Sequence, residues 1–232
     1  KGNVIPVFQE LLADMETPVS VFSRFMDREH CFLLESVEGG KRWGRYSLIG
    51  VDPYAVFEMK EKTVSIKRNG VDLVKGQQGR PLDILRDYLK TKKPVAVPGL
   101  PRFFGGAVGY LSYEAVREFE RMPEPKTAAE WPDASFMISD QMIIFDNVRH
   151  TMKVLVCVHT DEFESMDAAY EYGVSGVKGL LSLLGKKVPT VYLPKERIEV
   201  ELKSNMTKAQ FEGAVERAKQ YIVDGDIIQA VL

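Results

Sequence analysis

Through most of this chain the apolar residues come in short runs punctuated by Gly, Pro, Asn and Asp, and a helical spacing surfaces in only a few windows. Val4, Val7, Leu11 and Leu12 hold such a spacing, which predicts a short helix over residues 4–15. Thr17-Pro18 ends it, and residues 19–25 read as a strand. Beyond this point strand follows strand. Phe32-Leu33-Leu34 and Leu48-Ile49-Gly50 flank a loop containing Gly39-Gly40, the layout of a β-hairpin. Residues 55–60, 63–67 and 71–74 are short β segments, and Asn69-Gly70 between the last two is a strong two-residue turn signal. The result is an antiparallel meander.

Pro81 suits the first position of a helix with Leu82, Leu85, Tyr88 and Leu89 on one face and Lys90 at its C-terminal end. Pro94, Pro98 and Pro101 stiffen the connector that follows. The run FFGGAVGY, residues 103–110, places three glycines inside an apolar segment, which marks a bulge or a close backbone approach. It has neither the Lys-Ser/Thr of a phosphate loop nor a dinucleotide spacing. After a Pro-rich loop over residues 122–132, residues 134–147 and 152–159 read as two long strands of one hairpin, turning near Asp146-Asn147.

Ser165 can cap a long helix running to Leu184. Gly173, Gly176 and Gly179 inside it each cost about 1 kcal/mol relative to Ala, so this helix packs tightly at its glycines or breaks there. Residues 186–193 form a linker and residues 198–202 a strand. Thr207 and Gln210 make a capping-box pair, with Phe211, Ala214, Val215, Ala218 and Ile222 as the apolar face and Gly225 as the C′ residue. Residues 226–232 then enter an apolar β run. The fold class expected is α/β of the α+β type: largely antiparallel sheets packed in a sandwich, with helices outside.

Composition narrows the function more than the fold. A formal net charge of −2 over 232 residues, with no basic stripe, argues against a nucleic-acid binder. No apolar run approaches the ~18–20 residues needed to cross a bilayer, and residues 1–4 lack a signal-peptide layout. Cys31 and Cys157 sit far apart in apolar runs and read as buried free thiols of a reducing cytosol. The expected location is therefore cytoplasmic. No Cys or His cluster has metal-ligand spacing. His30, His150 and His159 carry no supporting nucleophile motif and read as structural or surface histidines, while Asp224 and Asp226 are explained by a helix end.

The richest chemistry lies at the first hairpin. Leu34, Glu35 and Ser36 leave one strand, and Arg45, Tyr46 and Ser47 enter the other. A free amino acid needs such a kit: an acceptor for its ammonium, a donor for its carboxylate and an apolar wall. The same layout also serves an edge hairpin with a solvated tip, and the residue pattern alone leaves both open.

Six segments in order carry a family likeness: ETPVS at residues 16–20, LLES at 33–36, GRYSLIG at 44–50, FFGGAVGYLSYEAVREFE at 103–120, IIFDN at 143–147 and AKQYIVDGDIIQAVL at 218–232. Together they resemble the N-terminal half of the large subunits (component I) of anthranilate synthases. The resemblance implies an N-terminal regulatory and partner-binding domain over residues 1–203 and the start of a chorismate-binding domain over residues 204–232. It implies a parent lyase of tryptophan biosynthesis that uses Mg2+, and ammonia from a glutamine amidotransferase subunit, with the catalytic residues and the Mg2+ site outside this chain. It also implies half of a feedback site for L-tryptophan, with Ser36 contacting the effector and Glu35 and Leu34 beside it. Arg45, Tyr46 and Ser47 join that site through hairpin geometry. Aminodeoxychorismate synthase component I is the near rival within the fold. A stand-alone, non-catalytic module that senses an amino acid or binds a subunit is the alternative of another class.

Overall fold

The computed structural model describes residues 2–35, 44–61, 63–123, 130–188 and 201–232. Among these residues two five-stranded antiparallel sheets are built from ten strands: β1 (Val4–Leu12), β2 (Cys31–Leu34), β3 (Tyr46–Val51), β4 (Ala55–Lys60), β5 (Thr63–Arg68), β6 (Val71–Gln78), β7 (Gly106–Leu111), β8 (Ala134–Ser139), β9 (Gln141–Asp146) and β10 (Thr151–His159). The first sheet runs β1-β10-β9-β3-β2 and the second β6-β5-β4-β8-β7. Among the described residues four α-helices accompany them: α1 (Pro18–Phe22), α2 (Pro81–Lys90), α3 (Met166–Leu184) and α4 (Lys208–Asp224). The mixed architecture with antiparallel sheets is the one expected.

The sheets are made by the alternation their sequences carry. In β4, Ala55, Phe57 and Met59 are buried and alternate with more exposed neighbours; Val64 and Ile66 do the same in β5. These residues pack under Leu85 of α2 as one core. A second core lies where Val21 and Phe25 near α1, and Ala169, Val177 and Leu180 of α3, cover Ile49, Ile143 and Val154 of the first sheet. A third joins the two sheets, with Met142, Ile144 and Leu155 against Val108 and Met137. Asn69 and Gly70 both take positive φ (50° and 77°) in the β5–β6 turn, as a tight hairpin turn requires.

Four expectations give way. Residues 4–15 are not helical: β1 pairs with β10 from Val4 opposite His159 to Leu12 opposite Thr151. Val4, Ile5 and Val7 favour a pleated surface, and Pro6 fits an edge strand that need not donate there. Residues 19–25 are not a strand, because Thr17-Pro18 begins a helix rather than ending one. The Thr17 hydroxyl accepts from the Ser20 amide (3.0 Å), Ser20 Oγ accepts in return from the Thr17 amide, and Pro18 occupies the first turn. The apolar run at residues 134–147 is two strands in different sheets, β8 and β9, separated by the single residue Asp140. Residues 226–232 form no strand; Ile228 and Val231 stand almost fully exposed, and without a neighbouring strand an apolar run has nothing to pair with. Of the strand expected over residues 198–202, positions 198–200 lie outside the described residues, and Glu201 and Leu202 are irregular.

Helix α3 resolves the choice posed by its glycines: it is unbroken and packs tightly. A Cβ on Gly173 would lie 2.7 Å from Val7 and 2.8 Å from Val158 side-chain carbons. The strand β7 repeats the device at Gly109, where a Cβ would fall 1.9 Å from the Ser135 carbonyl oxygen across the β7–β8 pair. The chain divides into two compact units, Lys1–Pro189 and Thr190–Leu232. In the second, α4 carries its capping box and ends at Gly225 with φ of 82°.

Candidate functional site

Strands β2 and β3 pair antiparallel, Leu34 opposite Leu48 and Cys31 opposite Val51, so the hairpin expected from the sequence is present at its base. Its loop, from Ser36 to Trp43, lies outside the described residues. Leu34 and Glu35 are exposed where β2 ends. Across the pair, Arg45 is anchored by a carboxylate that the sequence reading missed. Arg45 Nε and Nη2 donate to Asp146 Oδ1 and Oδ2 at 3.1 and 2.7 Å, a forked pair. Asp146 is buried and its Oδ1 also accepts from the Val148 and Arg149 amides, both at 3.2 Å. Burial works to raise the Asp146 pKa, but Arg45 and the two amides outweigh it and hold the carboxyl below its ordinary value.

Residues 45 and 146 meet because β3 and β9 are neighbours, with Tyr46 opposite Asp146. The one local hint was that Asp146-Asn147 marks a turn, where short polar side chains often bond their own backbone. Asn147 extends the scaffold. Its backbone amide donates to the Arg45 carbonyl (2.8 Å), and its Nδ2 donates to Gly44 O (3.2 Å) and Ser47 Oγ (3.1 Å). Ser47 is fully buried, so its hydroxyl braces the strand rather than facing solvent. Tyr46 is half-buried, with the Arg45 guanidinium 4.9 Å from its ring centre. Chemically, the base of the hairpin presents one exposed carboxylate, Glu35, and one guanidinium of fixed direction.

The histidines fall as follows. His30 is half-buried, 3.8 Å from Glu29. His150 adopts a φ of 54° in the β9–β10 turn. His159 is buried at the end of β10, its ring 4.0 Å from that of Tyr54. Among the described residues no three His, Cys, Asp or Glu side chains come together to hold a metal ion, and no helix is long and apolar enough to cross a membrane.

This scaffold is that of a known class. Residues 29–232 match the family model described as chorismate binding enzyme, and the chain belongs to that family. It is similar to curated anthranilate synthase component 1 proteins: 39% identical over 238 residues to that of Acetivibrio thermocellus, and 37% identical over 237 residues to that of Pseudomonas putida. Each likeness covers 99% of this chain and 47% of the relative, so the chain spans about half the length of the relatives it matches. The crystal structure of anthranilate synthase component I from Streptococcus pneumoniae TIGR4 shares the fold, with a TM-score of 0.53 at 23% identity over 93% of this chain and 46% of that one.

Proposed function

We propose that this chain is the N-terminal part of an anthranilate synthase component I and carries half of a tryptophan feedback site at the β2–β3 hairpin. The observation that carries the proposal is the likeness to component 1 proteins over 99% of the chain. The whole protein, on this reading, eliminates pyruvate from chorismate and aminates the ring in tryptophan biosynthesis. It works in the cytoplasm, with ammonia from a glutamine amidotransferase subunit. Mg2+ would act at carboxylates outside this chain.

Within this chain the work is recognition. Glu35 is exposed and takes the effector ammonium; Arg45, aimed by Asp146, takes its carboxylate; Leu34 and Tyr46 supply apolar surface. Ser36 contributes its hydroxyl, and Ser47 holds the strand through Asn147. Effector binding then changes catalysis only as far as it favours one arrangement of the enzyme over another.

In the full-length enzyme, Ser36→Phe and Ser36→Arg are expected to raise the tryptophan concentration for half-inhibition about tenfold or more, the equivalent of ~1.4 kcal/mol. Uninhibited formation of anthranilate from chorismate, Mg2+ and ammonium, read by fluorescence, stays within about twofold. Unchanged inhibition removes Ser36 from the site. Absence of anthranilate formation by the unmodified full-length protein removes the enzyme assignment itself.

A further inference from the structure

The chain crosses between its two sheets at Asp140, and beside that crossing lies a cavity of about 180 Å³ within the first compact unit. Its walls are largely apolar: Val4, Leu89, Pro94, Phe104 and Ile138. At ~30 Å³ of liquid volume per water, the space suits several waters or one small organic molecule. It is far from featureless. Asp140 is 6% exposed and His159 7% exposed, and both line it. Asp140 Oδ1 and both ring nitrogens of His159 have no hydrogen-bond partner. A buried polar atom without a partner forfeits the hydrogen bond it had to water, and three such atoms around one cavity are three unmet demands in the same place.

The remaining charged lining is cationic. Lys92 and Arg102 also border the cavity. Lys92 lies against the rings of Tyr54 and Tyr88 (4.5 and 5.5 Å to their centres), and burial lowers its pKa. The arrangement is built rather than slack. Tyr54 donates to Glu162, which pairs with Arg68 at 2.8 Å and so ties the second sheet to the turn after β10. Asn3 bonds the Thr91 carbonyl and the Lys93 amide (3.0 and 2.7 Å), holding the strap that carries Lys92. Burial raises the Asp140 carboxyl to about 7, against the backbone amides of Asp140 and Tyr54, and lowers His159 to about 4. Near neutral pH His159 is therefore uncharged, with one nitrogen free to accept.

We propose that this seam cavity is a second binding site, for a small zwitterion with a compact apolar body, an aliphatic α-amino acid. Its ammonium is received by Asp140 Oδ1 and the accepting nitrogen of His159, its carboxylate by Lys92 and Arg102. Its side chain lies against Val4, Leu89, Phe104 and Ile138. None of its lining residues belongs to the β2–β3 hairpin, which separates the two sites.

The test is calorimetric titration of the full-length protein with L-valine and L-leucine, alongside isobutylamine and isovalerate, which each lack one of the two charges. Saturable binding of valine or leucine is expected, at least tenfold tighter than either half-ligand. Asp140→Asn, nearly isosteric and checked for fold by circular dichroism, weakens it tenfold or more. Ser36→Arg leaves it unchanged. Three outcomes overturn the proposal: no saturable binding, equal affinity in Asp140→Asn, or loss of binding in Ser36→Arg, which places the ligand at the hairpin. A leucine-soaked crystal with only waters in the cavity overturns it as well. Failure here leaves the anthranilate assay untouched, so the two readings fall separately.

Discussion

Gly173→Leu lowers the unfolding free energy by about 3 kcal/mol or more, while Gly179→Ala, six residues along the same helix, raises it by up to about 1 kcal/mol. The contrast comes from what each missing Cβ would meet. At Gly173 even a methyl falls inside van der Waals contact with Val7 of β1 and Val158 of β10, and both belong to strands locked in one ladder. Leucine there must push α3 off the first sheet and open the core formed by Val154, Val156, Ala169 and Val177. At Gly179 nothing lies within 4 Å, so alanine only removes the entropy that glycine loses on entering a helix. Urea unfolding of both variants measures the difference. Equal effects would mean that α3 does not rest on β1 and β10 through Gly173.

Asp146→Ala has the second large effect, and it acts on stability and recognition together. The substitution strips Arg45 of its forked partner and leaves the Val148 and Arg149 amides without an acceptor, a loss of about 2–3 kcal/mol. The sign of its pH dependence follows from the lowered pKa. A carboxyl whose folded pKa lies below its unfolded value of ~3.9 stabilises the fold above that value. That stabilisation is lost as the pH falls through the folded pKa. The gap in urea midpoint between the unmodified protein and Asp146→Ala is therefore full at pH 7 and narrows below about pH 4. A gap that persists unchanged at pH 2 would mean that the ionised carboxylate is not what matters. In the full-length enzyme the same variant, with Arg45 no longer aimed, raises the tryptophan concentration for half-inhibition about tenfold.

The sheet strands were legible wherever a turn signal bounded them. Asn69-Gly70 marked the β5–β6 hairpin because few residues accept two successive positive φ angles, and the short segments read at residues 55–60 and 63–67 are strands β4 and β5. The capping boxes were equally local, but they need the right sense. Thr207 with Gln210 was read as a start, whereas Thr17-Pro18, with the same chemistry, was read as a stop. The four-residue spacing from Val7 to Leu11 misled for a related reason. In a short window a few apolar positions fit a helix as well as a strand, and here nine residues of pairing with β10 decided.

By itself the sequence determined what depends on neighbours a few residues apart: turns, caps, the alternation of most strands, and the motifs that place the chain among chorismate binding enzymes. It also placed Glu35 and Arg45 at the mouth of one hairpin, whose base the β2–β3 ladder forms. Only the tertiary structure decided the rest. Asp146 reached Arg45 from a hundred residues away through the β3–β9 ladder, and Asp140 and His159 met at a seam formed where the chain changes sheets. The physical reason is that a side chain's partner across a sheet is set by strand order and register. Those follow from burying the whole core at once, and no local window contains them.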